Sequence, residues 1–567
     1  METQLTAVVR EVLTRELGVP ETTFSLAWKQ PEDADHGDLA TPIALQVAKE
    51  IGRSPKNIAL ALVKRIREID GVERAEVAGA GYVNVWLQPG ALVACLADTS
   101  AACTARPTRK EAPFIVDYSG PNIAKPLGIH HILSTVIGQA IVNIERHSGS
   151  NVIGWSYPGD WGTQFGKLAV AYTRWGDGRP ASAYSLDELL ALYVRFHAEA
   201  EGNPSLEEEG RAAFAALETG DASLRQFWKD VVAVTKEALG VLYERLSVTL
   251  DVETGESFYE EKMEPVLKEG IKKGVFVKGE KGALIVEYPK EQDLPPCMVR
   301  KSDGSTLYAT RDLAMLRYRI DEYHPRAIAY VVDVAQSLHF KQLFAAVALL
   351  GWDVPHLEHV VFGRMRFKDA AMSTRKGTVL KLEEVLDEAV LRARRVIEDH
   401  GAEVQTDDPD ALAEMMGVGA VIYGVLSQNR KKDMVFDWDT ALSLDGNSAP
   451  YLQYTHARAR SVLRKAEVQD APLPKAVTEL SVQERALVNA LRRFPAVLRE
   501  ARTTRMPHLL TQELFALGQT FNAFYNVEPI LKAPAAKRRL RLFLTSLVAS
   551  VLRTGTALLC IRVPERM

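Results

Sequence analysis

The sequence is poor in cysteine, and this excludes several classes of protein. Its four cysteines, Cys95, Cys103, Cys297 and Cys560, lie far apart in 567 residues, and none forms a CxxC pair. They are too few for a disulfide scaffold and are not spaced as zinc ligands. We therefore expect a reducing compartment, the cytoplasm.

Long apolar runs are also lacking. The longest, 343–350 and 542–552, are shorter than the roughly 20 residues that a membrane-spanning helix needs. The first 17 residues place charged and apolar side chains at helical spacing and lack the apolar centre of a signal peptide. We expect neither secretion nor a membrane partner.

No strong net charge of either sign is present, because 69 Lys and Arg nearly balance 73 Asp and Glu. A protein that binds only a polyanion is usually basic, and we expect no DNA partner. Residues 491–567, however, contain 13 Lys and Arg but 4 Asp and Glu. This basic end fits one domain that meets phosphates, although a solvated helical surface would give the same surplus.

The common phosphate-binding and hydrolase motifs are missing as well. The sequence has no GxxxxGK[ST], GxGxxG, HExxH or GxSxG segment. An enzyme of this sequence that uses ATP must hold the phosphates with another device.

What is present is enough chain for about two to four domains. Helical patterns in 1–17 and 41–69 and short strands at 72–78 and 82–87 predict an α+β domain over 1–107. Sequence rich in Ala, Thr, Arg and Pro then marks a boundary. From residue 382 onward the pattern is almost entirely helical, which predicts an all-α domain over 382–567.

The middle of the chain predicts a parallel sheet. A strand at 114–118, a helix at about 130–147 and a strand at 151–157 make a βαβ unit. Apolar runs at 327–332 and 359–362 supply later strands. The expected domain covers 108–381, with an insertion at about 175–295 that holds an acidic helical stretch and a hairpin.

The first strand-to-helix junction carries candidate ligand-binding residues. Asp117 ends the strand, Lys125 lies in the loop after it, and His130 and His131 stand at the start of the helix. Ligands meet this edge of a parallel sheet, and a helix N-terminus favours phosphate. The adjacent histidines also fit simple helix capping. A second segment, 369–377, has hydroxyls, two cations and a glycine, which suits either a loop that closes over a triphosphate or a solvated loop.

Taken together, segments along nearly the whole chain resemble the arginyl-tRNA synthetases of class I. GDWGTQFG at 159–166 and PYLQYTHAR at 450–458 are the most specific. The other similar segments are ADHGDLAT at 34–41, GAGYVN at 79–84, SGPNIAKP at 119–126, YATRD at 308–312, QSLH at 336–339 and PERM at 564–567.

Two segments depart from the family pattern. The HIGH motif reads GIHH at 128–131, and the KMSKS-like loop reads AMSTR at 371–375, without either lysine. These departures support an alternative, a catalytically impaired synthetase-like paralogue that binds tRNA or arginine. Retention of Lys125 and His131 favours an active enzyme. A third hypothesis, another nucleotidyltransferase on the same α/β fold, would not need the helical C-terminal domain.

The resemblance implies a Rossmann-like parallel-sheet catalytic domain between an α+β N-terminal domain and an all-α anticodon-binding domain. It implies an arginine–tRNA ligase that forms arginyl-adenylate and pyrophosphate from L-arginine and ATP, then transfers arginine to the terminal adenosine of tRNA(Arg). ATP is expected as its Mg²⁺ complex, with no tightly bound cofactor or metal site, and the protein is expected to be a monomer.

Activation requires alignment of the arginine carboxylate with the α-phosphate and neutralisation of the spreading charge. We expect His131 and Lys125 to be catalytic phosphate donors. Recognition of a guanidinium requires carboxylates, and the resemblance implies Asp117 and Asp312. The implied ATP-binding residues are Gly128, His130, His131, Met372, Ser373, Arg375 and Lys376. The implied arginine-binding residues are Asp117, Ser119, Asn122, Tyr308, Asp312 and Gln336.

Transfer to tRNA requires RNA-facing surface on more than one domain. Aromatic and cationic side chains close together stack on splayed bases and hold phosphates, although a Tyr-rich helix also packs its own bundle. The implied tRNA-binding residues are Tyr82, Asn84, Tyr451, Tyr454, His456 and Arg458.

Overall fold

The computed structural model describes residues 1–31, 34–353, 355–368, 380–401 and 404–567.

The N-terminal part is a small antiparallel sheet packed against helices. Its strands are β1 (Leu39–Thr41), β2 (Val72–Ala78) and β3 (Tyr82–Leu87), in the order β1-β3-β2. The predicted strands at 72–78 and 82–87 are confirmed. Between them Gly79 and Gly81 have φ angles of 53° and 144°, which glycine adopts without a steric penalty. The helices are Glu2–Glu11, continued by the π-helical turn Val12–Glu16, and Ile43–Ile51, Pro55–Ile66, Pro89–Ala94 and Leu96–Ala102.

The central part is a parallel sheet of β4 (Phe114–Asp117), β5 (Val152–Ser156), β6 (Val252–Glu253), β10 (Ala327–Asp333) and β11 (His356–Phe362), in the order β11-β10-β4-β5-β6. All four residues of its middle strand, Phe114–Asp117, are buried, which fits a strand covered on both faces. The strands that follow β3 along the described chain are β4 (Phe114–Asp117), β5 (Val152–Ser156), β6 (Val252–Glu253), β7 (Phe276–Lys278), β8 (Leu284–Val286), β9 (Cys297–Arg300), β10 (Ala327–Asp333), β11 (His356–Phe362), β12 (Met365–Phe367) and β13 (Met434–Phe436).

The order of these strands places a crevice beside β4. The next strand along the chain, β5, lies on one side of β4, and β10 lies on the other. Where the connections diverge in this way, a crevice opens at the carboxyl ends of the strands. Helix His131–His147 connects β4 to β5 and buries Ile132, Val136 and Ile141 against the sheet. The predicted βαβ unit is therefore confirmed.

The segment between β5 and β10 contains the predicted helices and hairpin. Strands β7 and β8 pair antiparallel, as expected, and β9 adds an edge to them that the sequence did not indicate. The helices of this segment are Thr163–Trp175, Leu186–Gly202, Ser205–Glu218, Ala222–Arg245, Glu260–Lys272 and Tyr308–Tyr323.

The C-terminal part is a helical bundle. Short strands β12 and β13 pair in parallel beside it. Among the described residues, helix Pro409–Leu426 is long and apolar enough to cross a membrane, but 67% of it is buried inside the protein. The remaining helices, which begin after β10, are Ser337–Leu349, Leu382–His400, Pro409–Leu426, Trp438–Ala441, Ala449–Lys465, Val482–Thr504, Pro507–Val527 and Ala535–Leu558.

Helix Val482–Thr504 joins the bundle to both other parts of the chain. Near its start, Nη1 of Arg485 lies 2.7 Å from Oδ2 of Asp38, a buried residue of the N-terminal part. Near its end, Nε of Arg502 and Nη1 of Arg505 lie 2.9 Å and 2.5 Å from the buried carboxylate of Glu145 on helix His131–His147. The two arginines and the Ser150 hydroxyl hold the pKa of Glu145 below its usual value although burial opposes them.

Candidate active site

A cavity of about 550 Å³ opens at the carboxyl ends of β4 and β10. Its walls come from the loop after β4, the start of helix His131–His147, and the ends of β10 and β11. The predicted residues Asp117, Ser119, His130 and His131 all line it. The other lining residues are Tyr118, Gly120, Leu133, Ser134, Tyr157, Val331, Val332, Asp333, Phe362, Arg364 and Met365.

His131 is fixed at the first turn of its helix. Its Nδ1 atom lies 3.0 Å from the backbone nitrogen of Gly128 and 3.1 Å from the Gly128 carbonyl oxygen. When Gly128 N–H donates to Nδ1, the ring proton lies on Nε2, which is left to donate to a ligand. Burial, and then the neighbouring His130 ring at 4.0 Å, lower the pKa of His131 to about 4. The imidazole is therefore neutral near pH 7.

The GIHH segment is also tied to the chain that follows residue 379. Ile129 N–H donates to the Leu380 carbonyl at 2.9 Å, and Leu382 N–H donates to the Leu127 carbonyl at 2.8 Å. Gly128 forms a β-bridge with Lys381. The four predicted ATP-binding residues of the KMSKS-like segment, Met372, Ser373, Arg375 and Lys376, lie outside the described residues.

Asp117 lies at the end of β4 and is buried. Nη2 of Arg319 donates to its Oδ2 atom at 2.5 Å, while no hydrogen bond to Oδ1 occurs among the described residues. Ser119 has φ 54°, and its hydroxyl lies 2.8 Å from that of Thr135 and 2.9 Å from that of Tyr243. Ser119 therefore anchors the loop to the helices, and its side chain has little freedom left for a ligand.

Asp312 and the other predicted arginine contacts, Tyr308, Asn122 and Gln336, have different surroundings. Oδ2 of Asp312 lies 2.6 Å from Nε2 of His339. Tyr308, at the start of the same helix, is 72% exposed. Asn122 and Gln336 are also exposed, and Asn122 forms a β-bridge with Gly159. Among the described residues, none of these four lines the 550 Å³ cavity.

Lys125 points away from the cavity. Its Nζ atom lies 4.8 Å from the centre of the Tyr193 ring, on helix Leu186–Gly202. An ammonium over an aromatic face gains about 0.5–1 kcal/mol at an exposed site, which is a weak restraint on a flexible four-carbon stem. The structure therefore brings Asp117, His130 and His131 together and leaves Lys125 outside that group.

Three segments of the chain match known families, and together they cover most of it. Residues 93–438 match the catalytic domain of tRNA synthetases class I (R), residues 3–87 match the arginyl tRNA synthetase N terminal domain, and residues 452–567 match the DALR anticodon binding domain. The arginine–tRNA ligase of Alkaliphilus metalliredigens is 39% identical over 542 residues, which are 95% of each chain. That of an Exiguobacterium species is 39% identical over 98% of this chain and 99% of its own.

The chain belongs to the arginyl-tRNA synthetase family.

Solved arginyl-tRNA synthetases have the same fold. The Thermus thermophilus structure superimposes with a TM-score of 0.81 at 27% identity and covers 100% of both chains. The Plasmodium falciparum structure gives a TM-score of 0.81 at 22% identity over 100% of this chain and 99% of its own. The predicted fold class is thus confirmed: a parallel-sheet catalytic domain with an N-terminal domain and a helical C-terminal domain.

The synthetase has further charged residues near Asp312 that were not predicted from the sequence. Glu256 lies 3.3 Å from Nη1 of Arg311, and Glu260 lies 3.0 Å from Nη2. Burial raises the pKa of Glu256 to about 7 although Arg311 opposes it. Arg311 belongs to the YATRD segment and precedes Asp312, so the family match pointed to the neighbourhood. Nothing in the local sequence marked Glu256.

The helical domain of the synthetase has a surface cavity of about 490 Å³ that contains two of the predicted tRNA-binding residues. The guanidinium carbon of Arg458 lies 4.6 Å from the centre of the Tyr454 ring and 5.1 Å from that of Tyr525. Arg464, Lys465, Lys532 and Arg566 also line this cavity. The arrangement combines aromatic faces with cations, as single-stranded RNA requires.

The other predicted tRNA-binding residues are divided between surface and interior. Tyr82 is 46% exposed, whereas Asn84 is buried in β3. Tyr451 is buried and its hydroxyl accepts from Asn522 at 3.0 Å. His456 is fully enclosed, with Nδ1 lying 2.9 Å from the Pro564 carbonyl oxygen. These three buried side chains support the fold in this structure and do not face solvent.

Proposed function

We propose that this synthetase activates L-arginine with ATP and transfers it to the terminal adenosine of tRNA(Arg). One observation carries the proposal: the acid Asp117 lines the same cavity as the histidines of the GIHH segment, and Asp312 lies close enough to interact with it electrostatically. A cation-binding acid pair beside a phosphate-binding helix start is what activation of an arginine carboxylate requires.

In the first step, the arginine carboxylate oxygen attacks the α-phosphorus of MgATP, and the bond to the pyrophosphate oxygen breaks. In this proposal Asp117 and Asp312 bind the cationic groups of arginine, with Asn122, Tyr308 and Gln336 as neutral partners and Ser119 shaping the loop. Neutral His131 donates from Nε2 to a phosphate oxygen. A donor aimed at developing charge contributes on the order of 10²–10³ in rate.

The remaining ATP-binding assignments belong to the same proposal. Gly128 and His130 border the nucleotide, and Met372, Ser373, Arg375 and Lys376 come from the KMSKS-like segment. Lys125 is a second phosphate donor in this scheme, and its ammonium must leave the Tyr193 ring to reach a phosphate. Rotation about the flexible lysine stem makes this movement inexpensive.

In the second step, a ribose hydroxyl of the terminal adenosine attacks the arginyl carbonyl, and AMP leaves. We propose three domains, 1–107, 108–381 with its insertion at about 175–295, and 382–567, of which the outer two hold the tRNA. Tyr454 and Arg458 are the surface contacts of the helical domain, and Tyr82 is that of the N-terminal domain. Asn84, Tyr451 and His456 act by supporting those surfaces. The protein acts as a cytoplasmic monomer, without a DNA or membrane partner.

The comparisons favour this enzyme and give no support to the impaired paralogue. The deciding experiment is ATP–pyrophosphate exchange by the full chain, with and without cognate tRNA, and with lysine as the control amino acid. We expect arginine, and not lysine, to support exchange, and we expect exchange to be stronger when tRNA is present. Absence of exchange under both conditions, with tRNA binding intact, would replace this proposal with the impaired paralogue.

A further inference from the structure

Arg319 is a fully buried arginine that reaches the active site from inside the protein. It lies on helix Tyr308–Tyr323, and its Nη2 atom donates to Oδ2 of Asp117 at 2.5 Å. Its guanidinium carbon lies 4.6 Å from the centre of the Trp155 ring and 5.7 Å from that of Tyr330. Both rings come from strands of the central sheet, β5 and β10. The guanidinium is therefore enclosed by apolar faces except where it meets Asp117.

The contacts of Arg319 do not compensate fully for its burial. Its Nε and Nη1 atoms, and the hydroxyl of Tyr330, have no hydrogen-bond partner among the described residues. A buried ion pair with unused donors is usually less stable than apolar side chains of similar volume. Stability alone therefore does not account for an arginine here, and its contact with Asp117 indicates a role in the site.

The geometry of Asp117 indicates what that role is. Arg319 binds one carboxylate oxygen, and the other, Oδ1, has no partner among the described residues although Asp117 lines the cavity. A carboxylate held by one oxygen is fixed in orientation and still presents a full acceptor to a cationic ligand.

The surroundings of Asp117 make its charge depend on Arg319. Burial raises the pKa of Asp117, Arg319 opposes that effect, and the carboxylate of Asp312 adds to it. The phenols of Tyr259 and Tyr330 also face Asp117 and carry no positive charge. His130, His131, Tyr157 and Asp333 line the same cavity, and burial lowers the pKa of both histidines. Arg319 is thus the cation that opposes the rise in the pKa of Asp117 and favours its ionised form.

We propose that Arg319 is a positioning residue that holds the Asp117 carboxylate charged, with Oδ1 presented to the cationic groups of substrate arginine. This inference rests on the proposed function, because it assigns Asp117 to arginine binding. It also concerns specificity, because the buried guanidinium of Arg319 orients the acid that binds the guanidinium of the substrate.

The test compares the full-length variants R319Q and R319K with the unmodified protein by ATP–pyrophosphate exchange. At about pH 7 we expect R319Q to raise the KM for arginine about tenfold or more, the effect of losing a charged hydrogen-bond partner. The KM for ATP should change less than about threefold. Lysine restores the positive charge, so R319K should recover most of the arginine affinity.

The pH profile distinguishes positioning from a general loss of structure. Without Arg319 the pKa of Asp117 should rise further, so the arginine KM of R319Q should fall as the pH is raised across the measured range. D117N, which has no carboxylate to ionise, should keep a high KM throughout this range. R541Q is a matched control, because Arg541 is a buried arginine of the helical domain that binds Glu484 at 2.8 Å; it should lower the Tm without changing the arginine KM.

Two results would overturn the inference. One is an arginine KM in R319Q equal to that of the unmodified protein. The other is a rise that affects arginine and ATP equally and does not depend on pH. If R319Q does not fold, R319M, which has a side chain of similar length without charge, takes its place. An arginine KM in R319M that is unaltered at about pH 7 and does not depend on pH means that Arg319 is structural only. Absence of exchange by the unmodified protein would instead contradict the proposed function.

Discussion

The carboxylate of Asp312 is within hydrogen-bonding distance of His339, whose Nε2 atom lies 2.6 Å from Oδ2. The two residues come from different helices, Tyr308–Tyr323 and Ser337–Leu349, and both side chains are partly exposed. The imidazole therefore fixes one oxygen of the acid and leaves the other accessible. The Asp117–Arg319 pair has the same form, with one carboxylate oxygen bound by a side-chain nitrogen.

The first prediction concerns His339. H339A frees the Asp312 carboxylate to rotate and should raise the KM for arginine about tenfold, with a smaller effect on the KM for ATP. H339Q places an amide nitrogen near the position of Nε2 and should retain most of the affinity. Steady-state exchange assays measure both. Equal KM values for H339A and H339Q would show that the hydrogen bond does not position Asp312.

The second prediction concerns the ionisation of His131. Because its pKa is lowered to about 4, the imidazole is neutral above about pH 5 and donates to phosphate without changing charge. The ratio of kcat/KM for ATP between the unmodified protein and H131Q should therefore be constant from about pH 6 to 8. The ratio cancels the titration of ATP itself. A change of that ratio near pH 6.5 would contradict a neutral His131.

The third prediction separates Arg458 from its helical neighbour His456. Arg458 lies between two aromatic rings at the surface cavity, so R458A should weaken tRNA binding about tenfold or more while the Tm changes little. His456 is enclosed, and H456A should lower the stability by about 1–3 kcal/mol with a smaller effect on the affinity of the folded fraction. Filter binding and thermal unfolding measure the two quantities. An H456A variant with normal Tm and lost tRNA affinity would place His456 at the RNA.

The burial of His456 also predicts that its contribution to folding stability decreases as the pH falls. Burial lowers its pKa below the usual value of 6.5, so the folded state prefers the neutral ring. The resulting stability is present above about pH 6.5 and is lost as the pH falls towards the folded-state pKa, because the unfolded chain takes up the proton first. The difference in Tm between the unmodified protein and H456A should therefore shrink as the pH falls below about 6.

The fourth prediction concerns the contact between the N-terminal part and the bundle. Asp38 is buried and accepts from Leu87 N–H at 2.8 Å, Arg485 at 2.7 Å and Asn489 at 3.0 Å. D38A removes the shared acceptor of these three donors and should cost about 3–5 kcal/mol of unfolding free energy in urea denaturation. Glu73 contacts the same Arg485 but is exposed, so the control E73Q should cost less than about 1 kcal/mol. Similar losses in both variants would contradict a special role for Asp38.

Much of the fold could be predicted from the local sequence pattern. Strands β2 and β3 lie where alternation and the glycine turn placed them, and helix His131–His147 begins within one residue of its expected start. Each of these elements packs its apolar side chains against a core, so the periodicity of apolar residues was enough to predict the elements. The ends of β4 and β10 were predictable as a ligand edge for the same reason, since parallel strands share that edge.

The partners of the site residues were not predictable in this way. Arg319 lies in a helix with many charged positions, and only the packed fold turns it inward against Asp117. In helix Ala449–Lys465 the side chains of Tyr454, Arg458, Ser461 and Lys465 reach the surface along one face. The polar residues Gln453, Thr455 and His456 are buried beside them, so residue polarity alone could not separate the surface positions from the buried ones.

The two ends of helix Val482–Thr504 affect the order in which a growing chain becomes stable. Asp38 and Glu145 leave the ribosome long before Arg485, Arg502 and Arg505, and N-terminal parts of a protein fold first during synthesis. Until the arginines emerge, each acid lacks its counterion. Burial of the unpaired carboxylate would then cost free energy, so each acid must stay hydrated. A chain released before residue 485 therefore keeps two loosely held parts, which proteases can reach. The C-terminal helical bundle of this synthetase thereby helps to protect the complete protein from proteolysis.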